Sequence, residues 1–429
     1  MEKTFMPQFK NIDHLFDHQL EGLKWTIAHA YNGSPFYREQ FKAAGVTPLD
    51  IKSLDDLEQL PFTTGKDLKE GYPFPLLSVP QKDVVRIHAS SGTTGKRKIL
   101  SYTAKDLDVW FDMFARCYEM AGLTKNDRVQ IAVGYGVWTA GMGFQMGCER
   151  LGAMAIPVGP GNIDMQCLFL VDLQSTVLCC TASMALLMAE EVNKRGLKDK
   201  INLKKIILGS ERCSSAMQTK IKDLLGLEDM FDIPGMTELY GPGTGLDCPM
   251  HEGIHYWADK YILEILNPDT LEPVKDGEIG EMVVTTLCKE ASPLVRYRTR
   301  DLTRKINAPC SCRNILPMHD KIMGRSDDMI ILRGVNIYPG QIDEILSSIS
   351  EVGSEYQLHL ERKEDGKDYM TVKAEIRQGL DPANMDDIKT RIKKTVQSKI
   401  MVSCDAHICN YGDLPRFEGK ARRIFDNRS

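Results

Sequence analysis

The sequence predicts an α/β protein in two unequal parts. A large N-terminal domain has parallel or mixed sheets covered by helices, with a β-hairpin region. A small α+β C-terminal domain follows on a hinge. Three observations predict this. Between residues 127 and 225, short apolar runs end in turns and lead into helix-like stretches, several times over. That rhythm belongs to a parallel sheet buried on both faces. From about residue 260 it gives way to alternating strand patterns separated by turn residues. Beyond residue 324 a third pattern runs helix, two strands around a charged turn, helix.

Taken in order, the first 85 or so residues read as mostly helix with Pro-bearing turns. Residues 128–133, 176–180 and 205–208 are strands, the first and last ending at Gly134 and Gly209; residues 182–190 are helical. Ser214 or Ser215 supplies the side-chain oxygen that caps a helix running to Leu225. Residues 261–266 and 280–286 flank the turn-rich segments Asn267-Pro268-Asp269 and Lys275-Asp276-Gly277. Residues 341–349 and 388–400 are helices, with strands at 356–360 and 369–376 on either side of Glu364-Asp365-Gly366. The polar, turn-prone residues 324–328 mark the boundary, giving expected domains 1–326 and 327–429. Ligands of such sheets sit beyond the carboxyl ends of the strands, so the post-strand loops are the place for a site.

Composition narrows the function. A net charge of −5 over 429 residues argues against a nucleic-acid or anionic-membrane surface, each of which needs concentrated Lys and Arg. No run approaches the roughly 18–20 apolar residues of a membrane helix, and the first residues lack an apolar signal core. The twelve cysteines are therefore expected to be reduced thiols or metal ligands in a cytoplasmic protein.

The strongest local signal is Ser90-Ser91-Gly92-Thr93-Thr94-Gly95-Lys96-Arg97-Lys98. Small residues let backbone wrap an anion, while hydroxyls and cations add donors and charge. It is not a Walker A loop, because two residues rather than four separate its glycines and Arg97 follows Lys96. Further motifs follow in order: Pro234-Gly235-Met236-Thr237-Glu238, Tyr297-Arg298-Thr299-Arg300-Asp301, Gly324-Arg325-Ser326-Asp327-Asp328 and Arg416-Phe417-Glu418-Gly419-Lys420. Together they resemble the adenylate-forming superfamily of acyl-CoA synthetases, peptide-synthetase adenylation domains and luciferases. The wording of His88-Ala89-Ser90-Ser91-Gly92, Gly134-Tyr135-Gly136-Val137-Trp138-Thr139 and Arg333-Gly334-Val335-Asn336-Ile337-Tyr338-Pro339 is most similar to the phenylacetate–CoA ligase branch.

The resemblance implies roles. Residues 90–96 would hold the ATP phosphates, Glu238, beside Thr237, the Mg²⁺ ion, and Asp301 the ribose hydroxyls. Gly209-Ser210-Glu211 and Pro234-Gly235-Met236 would border the adenine, and Arg325 would contact the nucleotide. Asp327 would be the hinge, about which the small domain turns. Lys420 would neutralise charge as a carboxylate attacks the α-phosphate; Arg333-Gly334 would reach the site for the second step, in which coenzyme A takes the acyl group and AMP leaves. Tyr135, Gly136 and Trp138 would line an aryl pocket. Three positions depart from the family pattern: Pro234 stands for an aromatic, Arg300 for a glycine and Phe417 for a threonine.

The reaction so implied is ligation of a phenylacetate-like aryl carboxylate to coenzyme A, with ATP and Mg²⁺; a homodimer is left open. The alternatives are transfer of the acyl group to a carrier protein, or nucleotide and acyl binding without turnover. A separate constellation, Cys248-x2-His251 with Cys310-x-Cys312, has ligand types and short spacings that suit a structural Zn²⁺, His255 being the alternate histidine.

Overall fold

The computed structural model describes residues 4–90, 96–328, 330–333, 335–363, 366–377, 379–380, 385–415 and 423–428. The N-terminal region is helical, as its pattern predicts: α1 (Ile12–Gly33), α2 (Pro35–Ala44) and α3 (Gly65–Glu70). Asn11 starts α1 by accepting the His14 amide on its side-chain oxygen at 3.0 Å. A single residue, Ser34, separates α1 from α2, where Pro35 supplies the preset φ of a first helical position.

A hairpin of β1 (Arg86–Ala89) and β2 (Ile99–Tyr102) then brackets the Gly/Ser/Thr run. It leads into α4 (Ala104–Met120), whose capping box joins Thr103 and Asp106. The α/β segment follows: β3 (Arg128–Ile131), α5 (Ala140–Leu151), β4 (Met154–Ile156), α6 (Ile163–Asp172), β5 (Val177–Cys180), α7 (Ala182–Lys194), β6 (Lys205–Leu208), α8 (Ser215–Leu225) and β7 (Asp229–Asp232). The strands form an all-parallel sheet in the order β4-β3-β5-β6-β7. The chain runs from β3 to β4 on one side, then crosses to β5 on the other. The loops after β3 and β5 therefore open at a topological switch point. All four residues of β5 are buried, as the unbroken apolar run implies. The Ser214 hydroxyl caps α8, accepting the Met217 amide at 3.3 Å.

A short hairpin, β8 (Gly235–Met236) and β9 (Gly241–Pro242), comes next. One antiparallel sheet contains β10 (Gly245–Asp247), β11 (Ile254–Tyr256), β15 (Lys305–Ile306) and β16 (Met318–His319). Another contains β12 (Tyr261–Leu266), β13 (Gly280–Thr286), β14 (Tyr297–Thr303) and β17 (Gly324–Arg325). The sequence predicts β12 and β13 only, since the short strands around them lack an alternating run.

The C-terminal module has the short hairpin β18 (Ile330–Leu332) and β19 (Val335–Ile337), then α9 (Pro339–Ser347), β20 (Val352–Arg362), β21 (Asp368–Ile376), α10 (Met385–Ile400), β22 (Asp405–Cys409) and β23 (Ile424–Asn427). Its main sheet, β22-β21-β20-β23, buries Leu358, Leu360, Val372 and Ala374 against α9 and α10 as a core of its own. It meets the larger body where Arg212 pairs with Glu344 and where Lys220 Nζ lies 5.7 Å from the Tyr411 ring. In the large body, Trp110, Phe114 and Phe144 pack α4 on α5. Gly143 and Gly147 permit that approach; a Cβ on either would lie 2.2–2.3 Å from Phe114. Among the described residues no helix is long and apolar enough to cross a membrane.

His88 shows how firmly this core is set. Its ring is 2 % exposed, edge-on to Tyr102 and Trp110 at 5.3 and 5.5 Å, with Nδ1 3.2 Å from the Val137 carbonyl. Burial pushes its pKa down to about 4. Because the folded value lies below the unfolded one, the stability it confers is complete above about pH 6.5 and is lost as pH falls toward 4. The full loss is about 3 kcal/mol. Melting temperature followed over that range should fall steeply, and His88→Phe should flatten part of the fall.

Candidate active site

Glu238 sits in a single 3₁₀ turn, Thr237–Leu239, between β8 and β9. The turn is entered and left through backbone conformations that side chains with a Cβ rarely adopt. Gly235 has φ +152° and approaches Gly241 and Pro242 so closely that a Cβ would lie 2.3 Å from each. Tyr240, at the exit, has φ +76°. The Glu238 side chain is buried, and its Oε1 accepts from Lys98 Nζ and from the Tyr297 hydroxyl at 3.2 Å. Burial pushes this carboxyl up. The Lys98 ammonium and the hydrogen bonds outweigh burial and hold it below the usual carboxylate range. An ionised, buried carboxylate already facing one cation is a suitable donor for Mg²⁺, a hard ion that takes oxygen ligands.

The Gly/Ser/Thr loop begins beside this turn. Ser90 donates its amide to Lys98 O at 3.0 Å, and its buried hydroxyl has no partner among the described residues. Lys96 lies over the Tyr72 ring at 5.3 Å. Residues Ser91, Gly92, Thr93, Thr94 and Gly95 lie outside the described residues, as do Gly334, Arg416, Gly419 and Lys420. The loop after β3 is joined to the same place, because Val137 O accepts the Ala89 amide at 2.9 Å.

In that loop Trp138 covers Gly134, where a Cβ would lie 2.9 Å from the indole, and Tyr135 covers Gly141 in the same manner at 2.7 Å. Gly136 is exposed with φ +88°. Tyr135 is half-buried, and its hydroxyl is buried without a partner among the described residues. Those are the features expected of aryl-pocket walls: flat faces, little side-chain bulk and one unused donor.

After β6, a Cβ on Gly209 would lie 3.0 Å from the Ile233 side chain, and Ser210 has φ +70°. Glu211 accepts from the Ser183 amide and hydroxyl at 2.9 and 2.7 Å, so it braces the start of α7. Pro234 O accepts the Gly243 amide at 3.1 Å, and Met236 packs on the core.

Asp301 on β14 is the Cα partner of Arg325 on β17, and Arg325 Nη1 lies 3.3 Å from its Oδ1. The Arg-rich neighbourhood does not engulf it. Arg298 makes a two-point bond to Glu281 at 3.1 and 2.7 Å, and Arg304 turns to Asp320. Arg325 also grips Asp327 with two bonds of 2.9 Å, so the ribose and hinge candidates share one guanidinium. Arg300, standing where the family has glycine, keeps the glycine conformation at φ +71°, where the register against β13 shifts. A non-glycine residue there stores roughly 1–2 kcal/mol. Arg333 is not brought to these residues; its guanidinium bonds the Ser403 hydroxyl and carbonyl at 3.0 and 2.7 Å.

Three contributors escaped the sequence analysis. Lys98 stands in the basic end of the loop motif and Tyr297 opens its own motif, but neither spacing nor type singles them out. Lys289, wholly buried with Nζ 2.8 Å from Glu238 O, carries no motif at all. Burial pushes its pKa down to about 8, against the pull of Asp106 and Glu238.

The cysteine constellation assembles away from this turn. Cys248, His255, Cys310 and Cys312 have their ligand atoms within 4.8 Å of one another. Cys248 and Cys310 sulfurs are 3.4 Å apart, and Cys312 Sγ is 3.2 Å from His255 Nε2. His255 Nδ1 is 2.7 Å from Leu316 O, which leaves Nε2 for a ligand. A correction is due for His251. It points away, with Nδ1 2.8 Å from Asp247 and Nε2 2.9 Å from Asp229, and these carboxylates raise its pKa against the effect of burial. Short sequence spacing favours His251; the pairing of β10 with β11 instead carries His255 to the thiols.

Residues 36–288 match the AMP-binding enzyme family, and residues 334–428 match the AMP-binding enzyme C-terminal domain. The chain belongs to the AMP-binding enzyme family. It is 40% identical over 425 residues to the phenylacetate-coenzyme A ligase of Escherichia coli K12, covering 98% of this chain and 96% of that protein. It is 39% identical to the enzyme of the same name from Pseudomonas putida, covering 97% and 95%. Among solved structures, 2-hydroxyisobutyryl-CoA ligase in its postadenylation state with 2-HIB-AMP superimposes with a TM-score of 0.90 at 25% identity, over 98% of this chain and 91% of that one. The same ligase in its thioesterification state gives 0.71 over the same shares.

Proposed function

We propose that this chain is an AMP-forming acid–thiol ligase that joins phenylacetate, or an aryl acid like it, to coenzyme A. The near-full-length identity to two phenylacetate-coenzyme A ligases carries the reading. That both relatives are named for coenzyme A favours it over a carrier protein as acceptor. Lys98, paired with Glu238, accepts the Ser90 amide where the phosphate loop begins, and the loop of Tyr135, Gly136 and Trp138 is tied to the same hairpin through Val137. The acid would lie between them, its carboxylate toward the triphosphate. Glu238, with Thr237 beside it, would hold Mg²⁺, which supplies charge neutralisation of the phosphates. Lys98, now on Glu238 Oε1, would then be free to face a phosphate oxygen. Asp301 would accept from the ribose hydroxyls, Arg325 would contact the nucleotide, and residues 209–211 and 234–236 would border the adenine.

In the first step a carboxylate oxygen attacks the α-phosphorus and pyrophosphate leaves, with Lys420 offsetting the added charge. In the second, the thiol attacks the acyl carbonyl and AMP leaves. A boundary at residue 326/327 with Asp327 as hinge lets the small domain exchange Lys420 for the Arg333-Gly334 segment between steps. Screening aryl and alkyl acids with ATP, Mg²⁺ and coenzyme A, following pyrophosphate and AMP, tests the function. Phenylacetate should lead; release of neither product with any acid would leave only a binding protein.

We also propose that Cys248, His255, Cys310 and Cys312 hold a structural zinc ion. Zn–S bonds of about 2.3 Å in a tetrahedron space ligand atoms by roughly 3.8 Å, near the separations found. Four protein ligands leave no open position, so its contribution is to lock β10, β11 and the 310–312 loop together. Protein washed with a weak chelator should retain about one zinc per chain, and Cys310→Ser should lose it and melt roughly 5–10 °C lower. Metal-free wild-type protein with an unchanged melting temperature would rule the site out.

A further inference from the structure

The turn bearing Glu238 is held by two buried side chains that donate to its main-chain carbonyls. The buried Tyr102 hydroxyl lies 2.9 Å from Tyr240 O and 3.2 Å from Thr237 O. Lys289 Nζ donates to Glu238 O at 2.8 Å. Three carbonyls of this turn, those of Thr237, Glu238 and Tyr240, are thus met by two side chains, and both are wholly buried. Lys289 has no ion-pair partner among the described residues; its ammonium instead lies 5.1 and 5.0 Å from the ring centres of Tyr102 and Tyr240. An ammonium in such a place gives up its hydration for one hydrogen bond and two ring faces, which a Leu or Met of similar length would not have to do. The turn it holds does not keep its shape alone, because Tyr240 sits at φ +76° with ψ −37°, a conformation costly for a residue with a Cβ. The side-chain donors to Glu238, Lys98 and Tyr297, are a separate set and reach Oε1 from the other side.

We propose that Lys289, assisted by Tyr102, is a positioning residue for the nucleotide-bound metal: through the Glu238 carbonyl it fixes the 237–240 turn so that the Glu238 carboxylate is aimed at the metal. The inference rests on the reading of Glu238 as the metal ligand. Lys289 is completely buried, so it acts through the turn and not on substrate.

The test compares wild type with Lys289→Met, Tyr102→Phe and Glu238→Gln. Mn²⁺ binding is followed by electron paramagnetic resonance with a non-hydrolysable ATP analogue present and no acid. Folding is checked by thermal melts, and the two half-reactions are assayed separately. Lys289→Met should bind Mn²⁺ about tenfold or more weakly and lose adenylate formation in kcat. Its KM for the acid, and thioester formation from supplied acyl adenylate, should stay within roughly threefold of wild type. Tyr102→Phe should move the same quantities the same way by less. A folded Lys289→Met with unchanged Mn²⁺ affinity overturns the proposal, as does equal loss of both half-reactions with a lowered melt, the mark of a merely structural residue. If Lys289→Met does not fold, unchanged Mn²⁺ affinity in Tyr102→Phe overturns it. Unchanged affinity in Glu238→Gln would instead remove the metal reading of Glu238, and the proposal with it.

Discussion

Glu238→Gln should lower the rate of acyl-adenylate formation by about 10²–10³. The substitution keeps the size of the side chain and an oxygen for the Tyr297 hydroxyl, whose bond is 3.2 Å. What it removes is the negative charge. In the wild type that charge is buried and balanced by Lys98, which holds the carboxyl ionised below its usual range. With an amide there, Lys98 faces a neutral partner and Mg²⁺ loses an anionic ligand, so the loss should fall on the step in which phosphate charge builds. Supplied with preformed acyl adenylate, the variant should make thioester at a rate near that of the wild type. The measurement is single-turnover pyrophosphate release over a range of Mg²⁺ concentrations. Wild-type release at saturating Mg²⁺ would show that the carboxylate does no more than pair with Lys98.

The second large effect concerns Lys420. Lys420→Ala should abolish adenylate formation while still converting supplied acyl adenylate and coenzyme A to thioester and AMP. A flexible ammonium that meets both the α-phosphate and the attacking carboxylate is worth most when charge accumulates between them. In the thiol step the α-phosphate is already an ester of the acid and no charge is added to it, and on the proposed hinge the small domain would have turned Lys420 away. Equal loss in both half-reactions would refute that division of labour.

Much of this was legible in the sequence because the informative signals are local. The apolar runs at 128–133, 176–180 and 205–208 are parallel strands, since burial on both faces leaves no polar alternation to confuse. Glu238 and Asp301 stand in motifs that can be read without a partner. What was not legible depends on contacts between distant segments. Lys98 and Tyr297 meet Glu238 across separations of 140 and 59 residues. Lys289 reads as an ordinary charged residue near a strand end until its burial is known. The choice between His251 and His255 was a matter of strand pairing: β10 and β11 run antiparallel, with Leu246 opposite His255, which brings the later histidine back to the thiols. The replacement of glycine by Arg300 was visible, whereas its retention of the glycine φ was not.

On the proposed mechanism a carboxylate oxygen of the acid becomes bonded to the α-phosphorus before the thiol attacks. Turnover of phenylacetate labelled with oxygen-18 in both carboxylate positions, in the presence of ATP, Mg²⁺ and coenzyme A, tests it most directly. The account predicts that one heavy oxygen appears in the phosphate of AMP and none in pyrophosphate. Unlabelled AMP formed alongside thioester, or ADP in place of AMP, would contradict it.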